Sequence, residues 1–125
     1  MNIKEKLYLA PEQLYRMGNA SSPQTTKLRP DEISIYEVNG IKHVRANGRG
    51  ISLFNKDGLD QIPLTGWVWE INAGTQFPHG LKLARDDKPH GHYTLMPTRN
   101  MLLSEYVSLL EKVAIYCKKS FKKKA

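Results

Sequence analysis

Apolar and polar residues alternate with the two-residue period of β-strands over much of the chain, and only near the end does the period become helical. Ile33-Ser34-Ile35-Tyr36-Glu37-Val38 alternates in this way and runs into Asn39-Gly40, a dipeptide that tolerates both positive φ angles of a type I′ hairpin turn. The return strand covers Ile41 to Arg45. Leu14-Tyr15-Arg16-Met17, Ile51 to Phe54, Trp67 to Ile71, Leu81 to Arg85 and His92 to Met96 read as further strands, with turn-forming residues between them. Gly48-Arg49-Gly50 precedes a strand rather than a helix, so it makes a turn and not a phosphate loop, and Asn55-Lys56-Asp57-Gly58 is a stop after Phe54. The polar stretch from Gly18 to Pro30, with Ser21, Ser22, Pro23, Thr25 and Thr26, reads as a long loop. Loops of about a dozen residues are uncommon in compact domains and often bind or gate.

Leu103, Tyr106, Val107, Leu110, Val113, Ala114 and Cys117 recur at three- and four-residue steps, the stripe of an amphipathic helix, with Ser104, Glu105, Ser108, Glu111 and Lys112 on the other side. Pro97 ends the preceding strand, and Asn100 or Thr98 can cap the helix. The pattern predicts an α+β fold, mainly β, with a C-terminal amphipathic helix packed on a sheet.

At 125 residues the chain makes a single domain, residues 1–125, and 40% apolar with 25% charged residues excludes a disordered or collagenous chain. Charges interrupt the apolar residues of Met1 to Glu12, a pattern that predicts no signal peptide, and no apolar run is long enough to predict a membrane span. Cys117 is the one cysteine, which excludes an internal disulfide and reads as a buried thiol on the helix. Net charge is +7, and the six lysines between Lys112 and Ala125 leave +1 for the rest of the chain. The basic balance therefore belongs to one end and argues against direct nucleic-acid binding; residues 118–125 read as a solvated basic tail.

His79, His90 and His92 cluster in sequence, and His90-Gly91-His92 at strand spacing would aim two imidazoles at one face, as a metal site requires. The next acid after them, Glu105, lies on the helix, so no metal is expected. Histidines with nearby lysines can also serve a metal-free ribonuclease as acid and base, which stands as an alternative. In the strand from His92, alternation turns Tyr93 and Leu95 toward a core and leaves His92 and Thr94 to line a cleft. Arg16 and Ser52 each lie in a short strand near an aromatic residue. By spacing alone Arg16 reads first as a surface arginine, Ser52 as an edge-strand serine and His92 as a satisfied strand-end histidine.

Leu14-Tyr15-Arg16, Gly50-Ile51-Ser52-Leu53-Phe54-Asn55, Gly74-Thr75-Gln76-Phe77-Pro78 with Leu81-Lys82, and His92-Tyr93-Thr94-Leu95-Met96-Pro97 occur in the same order in the type VI secretion effector "Tse-two" toxins, which this chain resembles over most of residues 14 to 117. His92 to Pro97 is the most specific block. The resemblance implies an ADP-ribosyltransferase-like split β-sandwich holding NAD in its cleft. It further implies a cytotoxic effector delivered by secretion machinery without a signal peptide, acting in the cytoplasm of a target cell on a macromolecular acceptor, with a cognate immunity protein in the producer.

By position the resemblance makes Arg16 the arginine that binds the phosphate or ribose of NAD. It makes Ser52 the serine that braces the site, and His92 with Thr94 the third motif. Ser52, His92 and Thr94 are then the catalytic candidates, and Arg16, Tyr15, Ser52 and Tyr93 the NAD-binding ones, with Tyr15, Tyr93 or a tryptophan of Trp67-Val68-Trp69 stacking on nicotinamide. Two departures stand out: many members of that superfamily carry a glutamate where this chain has His92-Tyr93-Thr94, and Ile51 replaces a hydroxyl residue before the serine. A non-enzymatic interaction module on the same fold, using the helix face and the lysine tail, is the further alternative.

Overall fold

The computed structural model describes residues 7–124; the readings for the first six residues and for Ala125 lie outside the described residues. Two antiparallel sheets form the body. The larger takes β1 (Leu14–Gly18), β4 (Ile51–Phe54), β5 (Gly66–Ile71), β6 (Leu81–Arg85), β7 (His92–Pro97) and β9 (Lys118–Lys123), in the order β6-β7-β4-β1-β5-β9. The smaller has the order β2-β3-β8, from β2 (Ile35–Val38), β3 (Ile41–Val44) and β8 (Met101–Leu102). Two helices, α1 (Lys56–Gln61) and α2 (Leu103–Ile115), complete a fold that is α+β and mainly β, as the alternation predicts.

Alternation divides the large sheet into two faces. Leu14, Ile51, Leu53, Ile71, Leu81, Leu83, Tyr93 and Leu95 point to one side, where Tyr106, Leu110 and Val113 of α2 close over them. Phe54 and Val68 point to the other and pack with Leu59 and Ile62, in and just after α1, and with Tyr15 and Met17. Tyr106 and Leu110 confirm the helical stripe, which is rotated slightly, since Leu109 is buried while Val107 and Ala114 are only half-buried.

The β2–β3 turn forms as its sequence requires: Asn39 and Gly40 take φ of 53° and 79°. Three other expectations need correction and one needs extension. Residues 118–123 stay mostly exposed but are not a tail: they form β9, an edge strand on β5, in which Lys118 faces Glu70 across the ladder. Lys119 Nζ sits 4.7 Å over the Trp67 ring, and Lys123 Nζ donates to the Ile62 and Leu64 carbonyls at 2.8 and 2.7 Å. The strand stops at Phe54 as predicted, but Asn55 is also the N-cap of a short helix the pattern does not show, α1, whose Gly58 N–H donates to Asn55 Oδ1 at 2.8 Å. Neither Asn100 nor Thr98 caps α2: its N-cap is Leu102, and Asn100 Oδ1 accepts from Ala46 N at 2.8 Å, tying the small sheet to the turn before β8. His90 does not share a face with His92, because β7 begins at His92 and His90 stays in the exposed turn before it.

The large sheet carries a split. β1 pairs with β5 over five residues but with β4 only at Tyr15 and Phe54. Beyond that pair the two strands separate, and the gap opens beside Arg16 and Ser52.

Candidate active site

Arg16 bridges the split with its side chain where the backbone ladder ends. It follows Leu14 onto the α2 side of the sheet and is only 8% exposed, so its donors need acceptors inside the protein. Nη1 donates to the Ser52 carbonyl at 3.0 Å and Nη2 to the Gln24 carbonyl at 2.9 Å. Glu32 Oε2 lies 3.7 Å from Nη1. Burial pulls the guanidinium below the usual arginine range, and the neighbouring Glu32 charge opposes the shift. Nε remains over: it is buried with no partner among the described residues.

The loop between Gly18 and Pro30 is present as expected and is pinned at both flanks. Asn19 Oδ1 accepts from the Ser21 and Ser22 amides, while Thr25 Oγ1 donates to the Leu110 carbonyl of α2 at 2.8 Å. Pinning presents Gln24 to Arg16 and brings Glu32, just past the loop, into the cleft. There Glu32 Oε2 accepts from Ser52 N at 3.2 Å and Oε1 from Arg29 N at 3.3 Å.

Ser52 and Thr94 are register partners across β4 and β7, as are Phe54 and His92, so these four side chains share one face. His92 Nε2 lies 2.9 Å from Ser52 Oγ, and His92 Nδ1 lies 2.6 Å from Asp86 Oδ1. Thr94 Oγ1 donates to Asp86 Oδ2 at 2.8 Å. Phe54 meets the imidazole edge-on, with ring centroids 5.2 Å apart. The hairpin between β6 and β7 delivers Asp86, whose N–H donates to the His92 carbonyl at 3.2 Å.

A cleft of about 430 Å³ joins these parts, within the size range of small-molecule sites. Among the described residues, Arg16, Lys27, Arg29, Arg49 and Lys88 line it against two acids, Asp31 and Glu32, which favours an anionic ligand.

Arg16, Ser52, His92 and Thr94 therefore line one cleft. Tyr15 and Tyr93 do not line this cleft. Tyr15 packs against the Phe54 and Val68 cluster, and Tyr93 is buried on the α2 side of β7, its hydroxyl donating to Glu12 Oε2 at 2.6 Å. Burial, aided by that carboxylate, pushes the Tyr93 phenol up to about 12. The tryptophans also lie outside the cleft: Trp69 Nε1 donates to the Asn19 carbonyl, and Trp67 lies under Lys119. His79 belongs to a separate cavity with Tyr8 and Phe77. Among the described residues no three or more His, Cys, Asp or Glu side chains gather to hold a metal ion.

Glu32 and Asp86 are the site residues that the linear reading misses. For Asp86 a signal exists: it stands six positions before His92, at the hairpin that the two strand patterns predict. Glu32 has only a weak signal, its place just after a loop long enough to bind or gate.

A cationic cleft in the split of a mainly antiparallel sheet, with an arginine at its seam and a serine and histidine on its wall, defines a domain suited to hold an anionic ligand. Comparison with protein families makes this specific. The model of the Tse2 ADP-ribosyltransferase toxin family matches residues 5–121, and the chain belongs to that family. No curated protein and no solved structure gives a match beside it. Family membership implies NAD as substrate, and the residues present fit it: the free Arg16 Nε and the surrounding cations suit a pyrophosphate, and the hydroxyl and imidazole of β4 and β7 suit a ribose.

Proposed function

We propose that the protein is a cytotoxic effector that takes ADP-ribose from NAD and transfers it to a macromolecular acceptor in the cytoplasm of a target cell. Delivery by secretion machinery and neutralisation by a cognate immunity protein complete the reading. The observation that carries it is Arg16: a buried guanidinium with one donor unused, at the seam of a cationic cleft, 3.0 Å from the carbonyl of the serine that contacts His92.

Bound NAD supplies an anomeric carbon already activated by the positive nicotinamide ring. The chain supplies orientation and charge. Arg16 offers Nε to a pyrophosphate while Nη1 and Nη2 stay on the Ser52 and Gln24 carbonyls, a division of donors that a lysine cannot reproduce. Glu32 provides negative charge beside Ser52, where a growing positive charge at the sugar is stabilised. This carboxylate offers the electrostatic part that the His92-Tyr93-Thr94 motif lacks. Thr94 has committed its hydroxyl to Asp86, so its part is to hold that carboxylate rather than to touch substrate.

The test incubates purified protein and its Arg16→Lys variant with NAD, with and without cell lysate, and measures nicotinamide release and transfer of labelled ADP-ribose. Arg16→Lys keeps the charge and loses the fork. Release should fall on the order of thirtyfold or more, as expected for losing a charged hydrogen bond of about 2 kcal/mol. Equal turnover by the two proteins would sink the assignment of Arg16. RNA cleavage without NAD would replace the whole reading with a ribonuclease.

A further inference from the structure

Asp86, His92 and Ser52 form a continuous chain of short contacts, and the proposed NAD reaction as described above does not require it. His92 Nδ1 to Asp86 Oδ1 is 2.6 Å and His92 Nε2 to Ser52 Oγ is 2.9 Å. A carboxylate can only accept, so Nδ1 carries the ring proton in neutral His92 and Nε2 is left as an acceptor for the Ser52 hydroxyl. The second Asp86 oxygen is held by Thr94, and Phe54 packs against the imidazole, so both members are locked in orientation. Nucleophile, base and orienting group are thus in place, by the geometric criteria that identify an activated serine on any fold.

Glu32 decides what such a serine can attack. Acyl transfer needs backbone N–H donors aimed at a developing oxyanion, and the N–H of the nucleophile itself is often one of them. Here the Ser52 N–H is engaged by the Glu32 carboxylate at 3.2 Å. A negative group at that point repels an oxyanion and favours a cationic, oxocarbenium-like centre.

We propose that Ser52 is a nucleophile toward the anomeric carbon of the nicotinamide ribose, and that Asp86 is the positioning residue that makes His92 its base. The proposal rests on the NAD reading above. Ser52 Oγ forms a bond to the anomeric carbon as the carbon–nitrogen bond to nicotinamide breaks. The bonding pair stays on the ring nitrogen, so nicotinamide leaves neutral. The Ser52 proton passes to His92 Nε2, and the resulting imidazolium is stabilised by Asp86 before the proton is released to solvent. The product is an ADP-ribosyl group in glycosidic linkage to Ser52.

The full chain, with Ser52→Ala, Asp86→Asn and Asp86→Glu variants, would be incubated with NAD and followed by intact-mass and peptide-mapping mass spectrometry together with nicotinamide release. One ADP-ribosyl group at Ser52 is expected in the parent chain and none in Ser52→Ala. Asp86→Asn should slow labelling on the order of a hundredfold or more, and Asp86→Glu should recover part of the loss. Nicotinamide release with an unmodified Ser52, unaffected by Ser52→Ala, would overturn the nucleophile and leave the NAD reading standing. No release and no labelling by the parent chain would overturn both. A second readout needs no turnover: nitrogen spectra of isotope-labelled protein should show His92 protonated at Nδ1 and bare at Nε2, and lose that preference in Asp86→Asn. The opposite tautomer in the parent chain would overturn the relay whatever the enzymology gives.

Discussion

Glu32 has two neighbours that give it opposite tasks, the Arg16 guanidinium 3.7 Å away and the Ser52 amide at 3.2 Å. Toward Arg16 it compensates a buried cation; toward the cleft it is a fixed negative charge beside the serine. Glu32→Gln retains the hydrogen bond to Ser52 N and removes the charge. It should therefore lower nicotinamide release by about tenfold to a hundredfold with little change in the amount of NAD bound, because the lost interaction acts on positive charge that develops only during reaction. Paired binding and rate measurements check this, and an unchanged rate would remove Glu32 from the chemistry. Cys117 is a contrasting case, a chemically capable group kept inert. It is buried, its Sγ lies 3.5 Å from the Val113 carbonyl, and burial pushes its thiol up to about 12.

Among the elements, β9 changes the meaning of the basic C-terminus. Its lysines cover the outer edge of the large sheet, and a strand rich in lysine is a poor template for further strand pairing. Lys119 and Lys123 also satisfy carbonyls at Ala20, Ile62 and Leu64. Two of the lysines that an interaction module was expected to use, Lys119 and Lys123, are thus engaged in the fold. Truncation before Lys118 would strip β5 of its outer partner and uncover Trp67. It should cost about 2–4 kcal/mol, judged from a few ladder and lysine hydrogen bonds at roughly 1 kcal/mol each, and promote aggregation through the newly exposed edge. Denaturant unfolding and light scattering of the truncated chain check both outcomes; unchanged stability would return the lysines to a solvated end.

At the scale of the whole molecule, the core side of the large sheet encloses hydroxyl and thiol groups that ionise only at high pH. Burial raises Tyr93 to about 12, raises Tyr106 as well, and raises Cys117 to about 12, while the unfolded chain ionises them near 10.0 and 9.0. Above those unfolded values the unfolded state holds fewer protons than the native one, so stability falls as pH rises toward about 12. The full contribution of these groups is present below about pH 9. Melting curves across that range should show a steady decline, and Tyr93→Phe should flatten it in part. A decline identical in the variant would show that Tyr93 is not among the groups responsible.

Local alternation and turn chemistry determine most of the elements by themselves. Ile33 to Arg45 with Asn39-Gly40 specifies its hairpin, the stripe through Tyr106, Leu110 and Val113 specifies its helix, and the period of His92 to Met96 separates cleft residues from core residues, because each depends on neighbours a few positions away. β9 escaped because its lysines look solvated until β5 and Trp67 lie beside them, and α1 because six residues beginning at a polar cap carry too little periodicity. The family motif made Arg16, Ser52, His92 and Thr94 legible as a set. Only the tertiary structure shows how they act together. Glu32 and Gln24 reach Arg16 and Ser52 because the split leaves the strands unpaired there and a pinned loop delivers them, while Asp86 reaches His92 across a hairpin. Electrostatics depends on distance in space, and burial depends on what every other element covers, so a charge twenty residues from Ser52 in the chain becomes its close neighbour only when the sheet has formed.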